Sequence, residues 1–155
     1  REVNQHLYEA CQRRMFVTLF YGVIDPRTRT MTYSRAGHNP PVWRRTSERT
    51  TLMLKPPGPG LGLVSGKSFD RVLKVEQISL SPDDALFLYS DGITEAMNEQ
   101  QEEYGEARLM AVAERADWLD AEMALNAVLG DVSSFLAGTP PQDDQTLVVV
   151  RVAGN

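Results

Sequence analysis

The chain has 155 residues, 42% of them hydrophobic, with a formal net charge of −5 and a pI of about 5.0. That length suits one domain with a substantial core, and the acidic balance, with no Lys/Arg-rich run, excludes a nucleic-acid footprint. No apolar stretch approaches the roughly 18 residues of a membrane span, no secretory leader opens the sequence, and the single cysteine, Cys11, forms no internal disulfide, which suits a reducing cytoplasm.

Residues 1–12 read as the end of a helix, with Val3, Leu7, Ala10 and Cys11 on one face. No capping signal precedes Arg1, so the chain reads as an excised fragment starting inside an element. Met15 to Ile24 is strand-like, Asp25-Pro26-Arg27-Thr28 is a turn, and Thr30 to Arg35 returns as the second arm of a hairpin. Ala36-Gly37-His38-Asn39-Pro40-Pro41 breaks that run. Val42 to Arg45 and Thr50 to Leu54 form another strand pair, with Arg44-Arg45, like Arg13-Arg14, read as a short solvated pair. Pro56-Pro57-Gly58-Pro59-Gly60-Leu61-Gly62 is a shaped loop. Phe69 to Leu80 reads as one half-exposed strand. Ser81-Pro82-Asp83-Asp84 turns into the apolar strand Ala85 to Tyr89.

Helical periodicity follows. Leu109, Val112, Ala113 and Ala116 share one stripe; Leu125, Val128, Leu129, Val132, Phe135 and Leu136 share another. Asp117 or Asp120 caps the second helix, and Gly138-Thr139-Pro140-Pro141 ends it. Thr146 to Val152 is the closing strand. Strands, then helices, then a returning strand predict an α+β fold with helices on one face of a largely antiparallel sheet.

Two acidic turns flank the most apolar strands. Ser90-Asp91-Gly92-Ile93-Thr94-Glu95-Ala96 follows Leu86 to Tyr89, and Asp143-Asp144-Gln145-Thr146 precedes Leu147 to Val150. One carboxylate leaves a buried strand and the other enters one. If those strands are antiparallel neighbours, Asp91 and Asp143 share one sheet edge, where carboxylate oxygens suit hard divalent cations. Gly92 would let the backbone turn sharply. Each turn alone is equally an ordinary strand boundary.

Other candidates carry less. His38 serves as acid, base or ligand, or as a turn histidine bonding backbone groups. His6 is an exposed helix residue and Thr18 a strand filler. Glu95 starts a helix or reaches a metal through water, and Glu99 to Glu106 is a solvated acidic face. No Gly-x-x-x-x-Gly-Lys loop and no Gly-x-Ser-x-Gly elbow occurs.

Met15-Phe16-Val17-Thr18-Leu19, Ala36-Gly37-His38-Asn39-Pro40-Pro41, Tyr89 to Ala96 and Asp143-Asp144-Gln145-Thr146 together make the chain resemble the SpoIIE/RsbU branch of the PPM (protein phosphatase 2C-like) serine/threonine phosphatases. The motifs occur in the family's order and cover the later part of its domain, so residues 1–155 read as a single partial SpoIIE-type domain lacking its N-terminal part. The resemblance implies a β-sandwich of two antiparallel sheets flanked by helices. It implies a two-metal site for Mn²⁺ or Mg²⁺ whose activated water hydrolyses phosphoserine or phosphothreonine. Asp91 and Asp143 match the family's metal ligands. Gly92, Asp144, His38 and Asn39 fall near that site, Asp144 as a backbone-bonding neighbour.

The resemblance further implies a cytoplasmic phosphatase that dephosphorylates a STAS-domain anti-anti-sigma protein in partner switching, under an upstream sensor domain, and it leaves a homodimer open. One departure stands out: the family's earlier Gly-Asp-Val-Ser-Gly-His-Gly-type motif, source of the metal-bridging Asp, is not in this sequence. The 155 residues alone are therefore expected to bind metal weakly. The alternative from another class is a non-catalytic module that docks the phosphoprotein.

Overall fold

In the computed structural model, the described residues are 1–11, 14–115 and 119–154, without the Cys11 side chain. Expectations for Arg13, for Ala116 in a helix stripe, for Asp117 as a cap and for Cys11 on a helix face lie outside them. The elements run α1 (Glu2–Cys11), β1 (Leu19–Asp25), β2 (Thr30–Ala36), β3 (Val42–Arg45), β4 (Thr50–Met53), α2 (Gly66–Val72), β5 (Val75–Ser79), β6 (Ala85–Tyr89), α3 (Asp91–Thr94), α4 (Gly105–Arg115), α5 (Ala121–Leu136) and β7 (Leu147–Arg151). This is the expected α+β fold of antiparallel sheets with helices. The chain divides into two compact units, Arg1–Pro40 with Lys55–Leu80 and Pro41–Leu54 with Ser81–Asn155.

The first unit holds a three-stranded antiparallel sheet, order β1-β2-β5. The hairpin β1–β2 closes through the turn at 26–29, where Asp25 Oδ1 accepts from the Arg27 amide at 2.9 Å. Met31 and Tyr33 of β2 are buried, and the Tyr33 hydroxyl donates to Glu76 Oε2 of β5 at 2.9 Å. The helix α1 does not bury the expected face. Val3 and Ala10 are exposed, and the buried residue is Asn4, which donates to the Val64 carbonyl at 3.2 Å and accepts from the Gly62 amide at 2.9 Å. A polar side chain with two backbone partners can be buried without the usual desolvation cost.

The stretch 69–80 is not one strand. Ser65-Gly66 starts α2, with the Phe69 amide donating to the Ser65 carbonyl at 2.8 Å, and Phe69 is the anchor, packed with Ala36 and Leu61. Only Val75–Ser79 is extended. Burying one large aromatic outweighs the β-propensity of Val72 and Leu73. The loop 56–62 is shaped as expected: Gly37 donates to the Gly58 carbonyl at 2.9 Å, and Val17 and Leu61 exchange backbone bonds at 2.8 and 3.0 Å. Gly37 needs to be glycine, with φ of +71° and an added Cβ only 2.9 Å from Gly60.

The second unit holds a four-stranded antiparallel sheet, order β4-β3-β6-β7. The central strand β6 alternates: Ala85, Phe87 and Tyr89 enter one core with Leu109, Val112, Val128 and Val132 of α4 and α5. Asp120 caps α5 by accepting from the Met123 amide at 2.8 Å, and Ala137 in the left-handed region ends it. Two expectations change. Arg44 is buried rather than solvated, because β3 lies between two strands, while Arg45 lies over the Trp43 ring at 5.0 Å. And β7 is a half-buried edge strand, with Val148 exposed, rather than a buried one.

Asp84, read from sequence as a turn residue, is fully buried at the start of β6. Its carboxylate accepts from Trp43 Nε1 at 3.2 Å, the Thr46 amide at 2.9 Å and the Ser81 amide at 3.0 Å. Replacing it strands three donors. Asp84→Ala is expected to lower unfolding free energy by roughly 3 kcal/mol in urea titration.

Three buried tyrosines bear on stability at high pH. Burial, then Glu76, holds the Tyr33 hydroxyl protonated above the usual phenol range; burial, then Glu106, does so for Tyr89; burial, then Asp131, for Tyr104. A pKa raised by folding gives stability that is complete below the unfolded phenol pKa, about 10, and is lost as pH rises beyond it. The urea midpoint is expected to hold up to that pH and then fall, with tyrosinate absorbance lagging that of the unfolded chain.

Candidate metal centre

The pairing of β6 with β7 decides where the acids lie. Tyr89 is opposite Leu147 at the last rung of the ladder. Asp91 is two residues beyond that rung on one strand, and Asp143 four residues before it on the other. Both therefore stand at the same end of the β6–β7 pair, within the second unit.

A local clasp fixes that end. The Ser90 amide donates to the Thr146 carbonyl at 3.0 Å, and the Thr146 amide donates back to Ser90 Oγ at 2.9 Å. Ser90 Oγ in turn donates to the Asp144 carbonyl at 3.0 Å. Thus one serine ties the start of α3 to the segment before β7. Gly92 is then pressed against that segment: an added Cβ would lie 2.4 Å from the Asp144 carbonyl oxygen and 3.4 Å from the Asp143 carbonyl carbon. The role of this glycine is close approach, not the sharp turn expected from sequence; it has no positive φ.

Each carboxylate is oriented by its own chain. Asp91 Oδ1 accepts from the Gly92 amide at 3.1 Å, and Asp143 Oδ1 accepts from the Asp144 amide at 2.7 Å. Both residues are exposed. Asp91 also opens the single turn of α3, where a negative charge is favoured by the helix dipole. A cavity of about 230 Å³ is lined by Gly92, Glu95, Ala96, Met97, Gln142 and Asp143. Glu95 ends α3 and does not start a helix.

The structure thus brings together Asp91, Gly92, Asp143 and Asp144. The Asp144 backbone makes both bonds described above. His38 and Asn39 belong to the first unit. There the His38 ring pairs through Nδ1 with Thr18 Oγ1 at 3.1 Å, and Arg35 Nη1 donates to the His38 carbonyl at 2.9 Å. The imidazole bonds a side chain, not the backbone, and Thr18 is an exposed partner of it outside β1 rather than a strand filler. Sequence reasoning missed the role of Ser90, whose hydroxyl makes no helix-cap bond and instead joins a segment more than 50 residues away.

The donor set is oxygen only, which suits Mn²⁺ or Mg²⁺. It is also small. Among the described residues no group of three or more His, Cys, Asp or Glu is placed to hold a metal ion. Two carboxylates therefore fit part of a centre.

Protein IcfG of Synechocystis sp. is 31% identical over 136 residues, covering 88% of this chain and 20% of IcfG. Phosphoserine phosphatase RsbU of Bacillus subtilis is 30% identical over 99 residues, covering 64% of this chain and 28% of RsbU. The manganese-presoaked phosphatase domain of the cell fate determinant SpoIIE from Bacillus subtilis superposes with a TM-score of 0.67 at 20% identity, over 89% of this chain and 57% of that one. The chain thus spans 20% and 28% of these two relatives and somewhat over half of the solved domain. The family model for stage II sporulation protein E (SpoIIE) matches residues 1–153, and the chain belongs to that family of PP2C-like phosphatase domains.

Proposed function

We propose that residues 1–155 are one partial SpoIIE-type phosphatase domain in which Asp91 and Asp143 supply two ligands of a divalent metal centre. The observation that supports this reading is the clasp at the end of β6 and β7, which ties the backbone after β6 to the segment before β7. The match to residues 1–153 spans both units and supports the single domain. A manganese-soaked relative with this fold supports the choice of cation.

Asp91 and Asp143 would hold Mn²⁺ or Mg²⁺, each oriented by the amide that follows it. When bound, such ions acidify a water for attack on a phosphate ester and neutralise charge on the phosphoryl oxygens. Gly92 keeps the backbones of the two ligand segments in contact, and Ser90 sets their register. The substrate class is phosphoserine or phosphothreonine on a regulatory protein; similarity to a phosphoserine phosphatase supports it. We assign the substrate to a phosphorylated STAS-domain protein, a sensor domain to the parent chain and the site of action to the cytoplasm. Among the described residues no helix is long and apolar enough to cross a membrane.

Manganese titration calorimetry on the 155-residue chain tests the centre without needing turnover. Two carboxylates offset little of the dehydration of the ion, so binding is expected to be weak. Asp91→Asn and Asp143→Asn should each remove the heat that remains, while Glu99→Gln leaves it unchanged. Sub-micromolar affinity would show that the centre is complete in this chain.

Gly92→Ala separates the clasp from the charge. The new methyl must push away the Asp144 carbonyl. The cost is expected at roughly 1–3 kcal/mol of stability, with manganese affinity falling alongside it. Wild-type affinity in a destabilised Gly92→Ala chain would remove the close approach from the site.

In the parent chain carrying the upstream segment, Asp91→Asn is expected to lower phosphate release from a phosphorylated STAS-domain protein by about 100-fold or more. Added Mn²⁺ should restore part of it. An upstream-complete protein that binds the phosphoprotein but releases no phosphate would establish the docking module instead.

A further inference from the structure

Asn4 of α1 is 0% exposed. Its carboxamide accepts from the Gly62 amide at 2.9 Å and donates to the Val64 carbonyl at 3.2 Å, so α1 is seated on the end of the loop 56–62. Leu7, on the same helix, packs against the small core of Ala36, Leu61 and Phe69. Removing the Asn4 carboxamide would leave a buried donor and a buried acceptor unpaired.

The same loop holds the His38 turn at its other end. Arg35 joins the two: its Nε donates to the Pro56 carbonyl at 3.3 Å and its Nη1 to the His38 carbonyl at 2.9 Å. The Gly37 amide donates to the Gly58 carbonyl at 2.9 Å. In the middle of the loop, Leu61 exchanges two backbone bonds with Val17. The next residue, Thr18, pairs its hydroxyl with His38 Nδ1 at 3.1 Å. Little in this route can yield. Pro56, Pro57 and Pro59 fix three φ angles, and an added Cβ at Gly58 would run into the Arg35 carbonyl. Backbone rests on backbone, with no layer of flexible side chains to absorb a displacement.

We propose that Asn4 is a positioning residue for the His38 imidazole, acting through the loop 56–62 and Thr18. With Asn4 seated, Leu61 holds Val17, and Thr18 holds the ring in one tautomer through Nδ1. The bond at one ring nitrogen decides whether the other, Nε2, offers a proton or a lone pair. Asn4 thus sets the chemistry of a ring that it does not touch. The coupling runs through contiguous bonds within the first unit and does not depend on a metal at Asp91 and Asp143.

The ring nitrogens of His38 report the coupling directly. The chain has two histidines, so His6 gives the only other ring signals. In long-range proton–nitrogen spectra of the 155-residue chain, at a pH where both rings are neutral, Nδ1 and Nε2 of His38 should be widely separated. Thr18→Val should collapse that separation towards the average of two tautomers. Asn4→Ala should collapse it too, while the Gly62, Leu61 and Val17 amides exchange about tenfold or more faster. Tyr33→Phe, which removes the bond to Glu76 in the same unit, should leave the His38 ring unchanged. Hydrogen exchange of the unaltered chain in rising urea needs no variant: Gly62, Leu61 and Val17 should share one opening that precedes that of β2. A folded Asn4→Ala chain with faster Gly62 exchange and an unchanged His38 ring overturns the proposal. So does an unchanged ring in Thr18→Val, an equal collapse in Tyr33→Phe, Gly62 opening while Leu61 and Val17 stay protected, or all three opening only with β2.

Discussion

The second unit depends on how β6 is held at its two ends. At its start, the buried Asp84 carboxylate gathers the Trp43 indole and the Thr46 and Ser81 amides. At its finish, Ser90 bonds Thr146 and Asp144. Between them lie five residues that are nearly all buried. A strand pinned at both ends cannot slip by one residue. A slip would turn Phe87 and Tyr89 out of the core and move Asp91 away from Asp143. The register that buries the core is therefore the register that sets the Asp91 and Asp143 turns at one end of the β6–β7 pair.

The two pins differ in kind. Asp84 is a charge taken out of water and fully met by donors, which gives a rigid joint that fails badly if one partner goes. Ser90 is a neutral hydroxyl that both donates and accepts, so it can follow small movements of the Asp143–Asp144 segment. The closeness of that segment comes instead from an absence: no Cβ at Gly92, with the Asp144 carbonyl in the space one would fill. In the proposed centre, a bound cation would offset the like charge of two carboxylates at one sheet end.

Much of this was legible in the sequence where local signals and tertiary packing agree. The β1–β2 hairpin, the β3–β4 pair, both long helices and the Asp120 cap follow from alternation, turn residues and helical stripes. The convergence of the Asp91 and Asp143 turns followed from one assumption, antiparallel β6 and β7, which the ladder supplies. The misses occur where a single burial event overrides propensity. Phe69 draws 66–72 into a helix although Val72 and Leu73 favour a strand. Asn4 is buried, and apolar Val3 is not, because only Asn4 can serve both the Gly62 amide and the Val64 carbonyl. Arg44 is buried because β3 became central, and strand order is not written in any window of the sequence. The function of Gly92 was misread for a related reason: contact with Asp144 lies 52 positions away in the chain, beyond any local turn rule.

The same contrast separates the acids from their setting. A carboxylate that serves structure is buried and saturated, as Asp84 is, with three donors. Asp91 and Asp143 are exposed, and the bond each makes through Oδ1 goes to the very next amide. Such a bond aims the side chain while adding nothing to long-range order. If stability alone had shaped these positions, the clasp of Ser90, Thr146 and Gly92 would have no use for acids, since none of its bonds runs through either carboxylate. The backbone geometry is complete without them, so their chemistry is free to answer to something outside the fold. On the reading proposed above, a hard cation is what these two exposed carboxylates at one sheet end would receive.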